Sequence, residues 1–462
     1  MPLAPEIPFF AQIGLGQSLF APALSGQPPY IAKDLHFRYN QITDSPWSTN
    51  FRFLQEKRMK RRQFLRGAAA GVVGGFGMTL AACAGAPPAT TQPTAAGDQP
   101  TAASSDQPTA AAAQPTAAEA QAPAQGSSLP AVEWRMGTSW PVSLDTIYGG
   151  AVTVGERVAA MTDGMFQITP FPAGELFPGL EVAQNVQQGT VEAGHTAMYY
   201  YVGLDPAFAF ATALPFGLTA AQQNAWLYHG GGQTALDELF GNFNFTGFAA
   251  GNTGTQMGGW FRKEINAVAD LQGLKMRIPG LGGRVMEKLG VVTQTIPGGE
   301  IFQALSTGAI DASEWVGPYD DQKLGLPEAA DFYYTPGWWE PGPTLHAIFN
   351  REAYDALPTV YKEILRTASY EANVDMLAKY DALNRVALEE ILAGGSQLKV
   401  YSDEIMLAAQ IAAFELYDEN AAASPIFAKI LPPWKEFRTK IQGWTQTNED
   451  PFLQFVKNNP VA

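Results

Sequence analysis

Residues 84–128 contain almost no large apolar side chain. They are mostly Ala, Pro, Thr, Gln and Ser, and Gln-Pro-Thr-Ala-Ala recurs at Gln92, Gln99, Gln107 and Gln114. Such a segment buries too little apolar surface to offset its chain entropy, so it is expected to stay extended and disordered. It reads as a tether, and its Pro-rich stretches reach up to ~3 Å per residue. A fold with a real core is thereby confined to the residues from 129 onward. At roughly 100–200 residues per domain, a chain of this length has room for two or three domains.

Ahead of the tether, residues 59–66 read Met-Lys-Arg-Arg-Gln-Phe-Leu-Arg, and an uncharged run extends from Gly67 to Ala82, ending in Cys83. A charged head, a short weakly apolar run and small residues before the cut are the parts of an export signal. The run is shorter than the ~20 apolar residues of a membrane-spanning helix; a buried Gly/Ala-rich helix is the other structural reading. The paired arginines resemble a twin-arginine signal, and Leu-Ala-Ala-Cys resembles a bacterial lipobox in which Cys83 is lipidated. Residues 59–83 are therefore expected to export the chain and anchor it by lipid at a membrane surface, periplasmic or on the cell surface. Residues 1–58 sit awkwardly ahead of such a signal and read as a non-native extension, with Met59 the better start.

Composition closes much of the chemistry. The single cysteine excludes a disulfide framework, a CxxC pair and a Cys-rich zinc site. The four histidines include no HExxH pattern. From residue 129 onward, 37 acidic side chains face 20 basic ones. That balance argues against a nucleic-acid partner, and an anion site here must be a local positive feature on a negative body.

Within the globule, strand and helix patterns alternate. Strands are expected from Ala131, at Phe166–Phe171, at Val191–Tyr201, from Phe245, at Leu274–Ile278, at Val291–Thr295 and at Leu398–Tyr401, with helices at Leu144–Thr162, Glu181–Gln188, Gly282–Leu289 and around Phe302. The expected class is α/β: two similar halves, each a mostly parallel sheet with helices on both faces, and a ligand cleft between them. After Pro358 no Pro or Gly occurs until past Leu392. At ~1.5 Å per residue this is a helix of about 50 Å, long enough to span both halves; strict heptads do not hold, which disfavours a coiled coil. Further helices are expected at Asp403–Asn420 and Pro433–Ile441. Lobe I takes residues 129–251 with about 342–380, lobe II takes 252–341 with about 381–424, and 425–462 form a helical extension able to pack between two chains as a homodimer.

Three stretches concentrate polar groups in apolar surroundings. Gly251–Trp260 carries Asn252 and Gln256 among glycines that allow close backbone approach; a glycine-rich strand between domains is the plainer reading. Arg277 lies inside Leu-Lys-Met-Arg-Ile-Pro, where it either is solvated, forms a structural ion pair, or grips a carboxylate through two parallel hydrogen bonds. Glu314 beside Trp315, and Glu340 after Trp338 and Trp339, place carboxylates next to aromatics. Buried together, two carboxylates need protons or a bridging cation; apart in loops, each is simply solvated. Hard cations such as Na⁺ or Ca²⁺ accept this oxygen chemistry.

The run Asp-Leu-Gln-Gly-Leu-Lys-Met-Arg-Ile-Pro at 270–279 resembles a signature of the substrate-binding subunits of TRAP transporters, the DctP-like family. So do the stretch 299–311, Gly-Glu-Ile-Phe-Gln-Ala-Leu-Ser-Thr-Gly-Ala-Ile-Asp, the stretch 189–194, and Leu214-Pro215-Phe216. The resemblance covers residues ~131–445. Residues 254–262, Ser313-Glu314-Trp315 and Gly337-Trp338-Trp339-Glu340 are most similar to the branch that binds α-keto acids or lactate with a metal ion. The resemblance implies a two-lobed periplasmic-binding-protein-like fold and a non-catalytic receptor. That receptor carries a small monocarboxylate, a 2-oxo acid such as pyruvate, or lactate, to TRAP membrane permease subunits. It implies that Arg277 pairs with the ligand carboxylate, that Gln256, Glu314, Glu340 and the Trp315 carbonyl hold the cation, and that Asn252 and Tyr200 are lesser contacts. Arg277 and a cation against Glu314, Glu340 and a monoacid give a near-neutral buried site. Two other readings are a metal-assisted lyase acting on hydroxy acids and an aromatic-lined receptor for a sugar or other solute. The lipobox and long tether depart from the family's usual Sec-exported form.

Overall fold

The computed structural model describes residues 129–461. The export signal, Cys83, the tether and the extension 1–58 lie outside the described residues. Strand β1 (Val132–Thr138) turns Trp134 and Met136 inward and pairs in parallel with β2 (Phe166–Phe171) and β3 (Ala193–Thr196). The first sheet runs β2-β1-β3-β10-β4, with β4 at Phe245–Asn252 and β10 at Thr344–Asn350. The second runs β11-β9-β5-β8-β6-β7. Its strands are β5 (Trp260–Phe261), β6 (Lys275–Arg277), β7 (Val292–Gln294), β8 (Ala312–Ser313), β9 (Phe332–Thr335) and β11 (Gln397–Val400).

Each sheet is mostly parallel, as expected, but holds one reversed strand that side-chain spacing did not predict. In the first, β10 is antiparallel to both β3 and β4; in the second, β5 is antiparallel to both β8 and β9. The cause is the chain path. It leaves the first sheet after β4 to enter the second as β5, then returns after β9 as β10, and the two entering strands run against their neighbours. The crossing segments, 253–259 and 336–343, are the glycine-rich stretches that the sequence singled out.

A correction concerns Val191–Tyr201. Only Ala193–Thr196 pairs as strand, and Met198–Tyr201 closes into a 3-10 turn. The three consecutive tyrosines thereby leave the sheet at the C-terminal end of its central strand and stand together on one turn. The helix expected from Pro433 begins earlier, at Pro425, and runs to Thr447 through Pro432 and Pro433. Ser424 caps it, its hydroxyl accepting from the Phe427 amide at 3.1 Å. A last helix, Glu449–Asn458, comes after it.

The helix Thr359–Gly394 has 36 residues, about 54 Å at 1.5 Å per residue. Its first half contributes Tyr361, Leu365, Ala368 and Ala372 to a core with Trp134, Val154, Phe166 and Phe349. Further along, Tyr380 and Ile391 join a different core with Trp260, Trp315 and Tyr333. One rod thus supports both sheets, as its length alone suggested.

Candidate functional site

Arg277 is the last residue of β6, and the parallel register places it opposite Ser313 of β8. The Glu314 amide donates to the Arg277 carbonyl at 3.2 Å, so the two side chains leave neighbouring strands side by side. Both are buried, Arg277 to 1% exposure and Glu314 to 0%. The guanidinium is heavily committed. Its Nε donates to the Ile296 carbonyl at 3.0 Å, and its Nη1 donates to the Glu314 carbonyl at 3.1 Å and to the Glu314 carboxylate Oε1. The Nη2 nitrogen, buried, has no hydrogen-bond partner, and neither has Oε2 of Glu314. The ring of Trp315 lies beneath the cation, 5.1 Å from the guanidinium carbon to its centroid.

Gln256 and Glu340 arrive on the crossing segments. The Gln256 amide donates to the Glu340 carbonyl at 3.1 Å, and the Gly337 amide to the Gln256 carbonyl at 2.9 Å, so the two crossings are laced together. Close approach requires glycine here: a Cβ on Gly337 would meet the Gln256 and Met257 carbonyl oxygens at 2.6 Å. Gly259, at φ +85°, passes over Ser313 so tightly that a Cβ would lie 2.8 Å from its carbonyl oxygen. The Gln256 side chain donates to Thr253 Oγ1 at 3.3 Å, leaving its buried Oε1 without a donor. Glu340, 3% exposed, accepts from the Tyr199 hydroxyl at 3.2 Å.

Burial dominates the electrostatics. It pushes Glu314 up to about 7, outweighing the pull of Arg277. It drives Glu340 well above the usual carboxylate range, with the Glu314 charge adding to the effect. Burial also works against the Arg277 charge, but Glu314, backed by Tyr200, Tyr199 and Glu340, holds the guanidinium above its ordinary value. The site therefore presents one fixed cation with an unused donor, two carboxylates reluctant to ionise together, and two orphaned oxygens. Such a cluster has unmet demand for both an acceptor and a positive charge.

The oxygens fit a hard cation. Among the described residues no three His, Cys, Asp or Glu side chains converge as metal ligands. The oxygens available are Glu314 Oε2, Gln256 Oε1 and the Glu340 carboxylate, a donor chemistry that suits Na⁺ or Ca²⁺ and not zinc.

Other expected residues are placed differently. Asn252 is fully buried, and its amide donates to the Gly342 carbonyl at 3.1 Å and Thr344 Oγ1 at 3.2 Å and accepts from Gly254 at 2.9 Å. Both donor hydrogens are taken in pinning the crossings together. The two parallel hydrogen bonds expected of Arg277 are also not available, because only Nη2 is free. Tyr200 does stand at the site: Arg277 beside it opposes the rise that burial imposes on its hydroxyl. Its ring meets Tyr199 edge-on at 5.0 Å. Trp338 stacks on Phe216 at 5.2 Å and Trp339 packs on Trp338 and Tyr401, so these two are core. His195 is spoken for, accepting from Trp140 Nε1 at 2.8 Å and bonding the Ala250 carbonyl at 3.0 Å.

Two features went unread in the sequence. Tyr199 touches Glu340, and its signal was the Tyr-Tyr-Tyr run at 199–201. Asp320 and Asp321, both buried, stand behind Trp315; they lie in the first turn of a short helix, where acids are ordinarily surface residues, and burial pushes them up to about 7 and about 6. A cavity of about 340 Å³ borders the cluster, lined by Tyr199, Tyr200, Ile278, Gly280, Arg284 and Gln294 among others. A second, of about 280 Å³, is an apolar groove at Trp226, Ile430 and Pro433, remote from this chemistry.

The model of the bacterial extracellular solute-binding proteins, family 7 (DctP), matches residues 136–424. A monocarboxylate 2-oxoacid-binding periplasmic protein, all3028 of Nostoc sp. (strain PCC 7120), is 58% identical over 333 residues, 72% of this chain and 91% of that protein. Among solved structures, a TRAP transporter solute-binding protein from Bordetella bronchiseptica is similar with a TM-score of 0.71 and 46% identity, covering 71% of this chain and 98% of that one. It is a mixed-occupancy dimer with copurified calcium and picolinate in one active site and the other site apo. A periplasmic solute-binding protein from Pseudoalteromonas atlantica, with bound sodium and pyruvate, gives a TM-score of 0.67 and 36% identity over 70% of this chain and 98% of that one.

Proposed function

The chain belongs to the family-7 bacterial extracellular solute-binding proteins, the DctP-type solute receptors of TRAP transporters, and from that premise we propose that it captures a small monocarboxylate together with a Na⁺ or Ca²⁺ ion and hands the acid to the membrane permease. The observation that carries this reading is three buried, unpartnered polar atoms on connected segments: Arg277 Nη2 and Glu314 Oε2 on neighbouring strands, and Gln256 Oε1 on the crossing bonded to Glu340. A buried donor that lacks an acceptor and buried acceptors that lack a donor each cost about 1–3 kcal/mol. An acid carboxylate on Nη2 and a cation on the oxygens relieve all of them together.

Glu314, Gln256, Glu340 and the Trp315 carbonyl hold the cation in this reading. Arg277 takes the acid carboxylate, with Tyr200 and Tyr199 flanking it. The bound cation supplies positive charge that holds both carboxylates ionised and draws in the acid. A dicarboxylate adds a further negative charge to a site already rich in them, which favours a monoacid such as pyruvate, a related 2-oxo acid or lactate. The two sheets are the centres of two lobes, residues 129–251 with 342–380 and residues 252–341 with 381–424, which close on the ligand by a hinge at the crossings. Contacts from Tyr199 and Tyr200 on one side and Arg277, Glu314 and Glu340 on the other give the closed form its extra affinity.

Binding and release without turnover is the role of the family, and the lyase reading finds little support: His195 is engaged in hydrogen bonds elsewhere, and among the described residues no histidine bonds to Arg277, Glu314 or Glu340. The sugar reading needs exposed aromatic platforms, yet the exposed tryptophan among the described residues is Trp444, on the C-terminal helix. That helix and the next expose Trp444, Phe452, Leu453 and Phe455, a face suited to a second copy of the chain, and Phe455→Asp is expected to convert a dimer to monomer in light scattering. Export through residues 59–83 and a lipid on Cys83 complete the picture. Among the described residues no helix is long and apolar enough to cross a membrane.

Calorimetry against pyruvate, lactate, a branched 2-oxo acid, succinate and a hexose, followed by chromatography of the bound compound, tests the reading. Saturable binding of monoacids, recovered unchanged, supports it; preferential sugar binding, or a chemically altered acid, defeats it.

A further inference from the structure

Asp321 stands behind the site and not in it, yet its carboxylate is fully engaged. It is 1% exposed. Its Oδ2 accepts from the Trp260 indole at 2.9 Å and the Tyr333 hydroxyl at 2.7 Å. Its Oδ1 accepts from the backbone amides of Val316 at 3.3 Å and Gly317 at 3.1 Å. That fills the lone-pair directions of a carboxylate. The anchor is rigid, because Trp260 and Tyr333 lie on paired strands β5 and β9 and stack at 4.0 Å.

The two backbone donors come directly after Glu314 and Trp315. A peptide unit is planar and trans, so the Val316 N–H and the Trp315 C=O belong to one plate and point opposite ways. Fixing the N–H on Asp321 turns the Trp315 carbonyl away from Asp321. The next carbonyl, that of Val316, is held by the Met257 amide at 3.1 Å, beside Gln256. The Trp315 ring is held beneath Arg277, and Asp320 receives its indole N–H at 3.4 Å while bonding Tyr380 of the long helix at 2.7 Å. The amides of Val316 and Gly317 and the carbonyls of Glu314 and Val316 are thus all hydrogen-bonded, and the Trp315 carbonyl is fixed in direction through its peptide plane.

We propose that Asp321 is a positioning residue for the cation: it sets the Trp315–Val316 peptide so that the Trp315 carbonyl stands ready beside Glu314 and Gln256. The inference rests on the cation-and-acid reading of the site. It assigns the carbonyl's direction to this chain's own hydrogen bonds and not to the cation, so the ligand is in place before the ion arrives.

Terbium(III), a luminescent stand-in for calcium, tests it in the full-length protein with pyruvate present. Emission lifetimes in H₂O and D₂O count the waters on the ion. Asp321→Ala is expected to add about one water, as the carbonyl swings out of a shell of six to eight oxygens, and to weaken Ca²⁺ binding at least about tenfold. Asp321→Asn, which removes the charge but keeps an oxygen for the two amides, is expected to retain the wild-type water count. If Asp321→Ala proves unfolded by circular dichroism, Asp321→Ser carries the same expectation, since one hydroxyl cannot bridge both amides. A folded Ala or Ser variant with the wild-type water count overturns the proposal. So does an equal loss of affinity in Asn and Ala without added water, which leaves charge as the sole role. Wild-type protein that binds neither terbium nor calcium overturns the cation reading, and this inference with it.

Discussion

Replacing Arg277 by Ala separates two roles that one side chain performs. In the protein as folded, Nε and Nη1 are bound to Ile296 and Glu314, and Nη2 alone remains for a ligand. The affinity lost is therefore that of one charged donor nitrogen, about 1.5–3 kcal/mol, or roughly ten- to a hundred-and-fifty-fold. The stability lost is a separate matter. Removing one member of a buried ion pair leaves the other uncompensated and costs about 3–5 kcal/mol, here falling on a Glu314 that is 0% exposed. Protonation of Glu314 relieves part of that cost, so the loss is largest at high pH. Adding Glu314→Gln to Arg277→Ala removes the stranded charge. Urea unfolding is then expected to show stability partly restored, while calorimetry shows pyruvate binding no better than in the single variant. An Arg277→Ala protein that binds pyruvate within twofold of wild type rules out this division of roles. A double variant that regains affinity along with stability does the same.

Glu340→Gln removes one of two carboxylates from the cation's shell and is expected to weaken Ca²⁺ at least roughly tenfold, read by calorimetry, with the fold retained because Tyr199 still finds an acceptor. Glu314 at about 7 and Glu340 well above the usual carboxylate range, both raised by burial, fix the sign of the pH dependence. Their folded values lie above their unfolded ones, so the stability they confer without cation is present at low pH and is lost as pH rises through the folded values. Bound cation needs both ionised, so Ca²⁺ affinity is expected to rise between about pH 6 and 8 with proton release, seen as buffer-dependent binding heats. Asp145, in the loop after β1, pairs with Lys323 on the helix after β8 and with Lys379 at 3.2 Å, joining elements of the two sheets. These groups are about a third to a half exposed, so Asp145→Asn is expected to raise the ligand's Kd by less than about fivefold, a difference that disappears in high salt.

The sequence made the elements legible wherever periodicity was unopposed. Val132–Thr138, Phe166–Phe171 and the helix after Pro358 each emerge from side-chain spacing, and the length of that helix foretold its double attachment. Strand direction was not legible, because it depends on where the chain crosses between sheets, and Gly251–Gly259 signals a crossing without giving its sense. At the site, Arg277, Glu314, Gln256 and Glu340 stood out as polar groups in apolar runs. Asn252 stood out for the same reason and spends its amide hydrogens on the crossings; an amide that satisfies backbone at a crossing and one that faces a ligand look alike in sequence. Asp320 and Asp321 were hidden by their setting: two acids after Gly-Pro at a helix start read as a solvated first turn. Their burial shows only in the fold, where Trp260 and Tyr333 bond Asp321 and where Trp315 and Tyr380 bond Asp320.

In the proposed receptor, acid and cation bind as one unit, and thermodynamic linkage makes that directly measurable. Titrate pyruvate at rising Ca²⁺, and Ca²⁺ at rising pyruvate, in the same buffer. Joint binding predicts that each tightens the other by one common factor, as reciprocity demands, and that chelator abolishes most pyruvate binding. Pyruvate affinity that is indifferent to Ca²⁺ and to Na⁺ alike would contradict it.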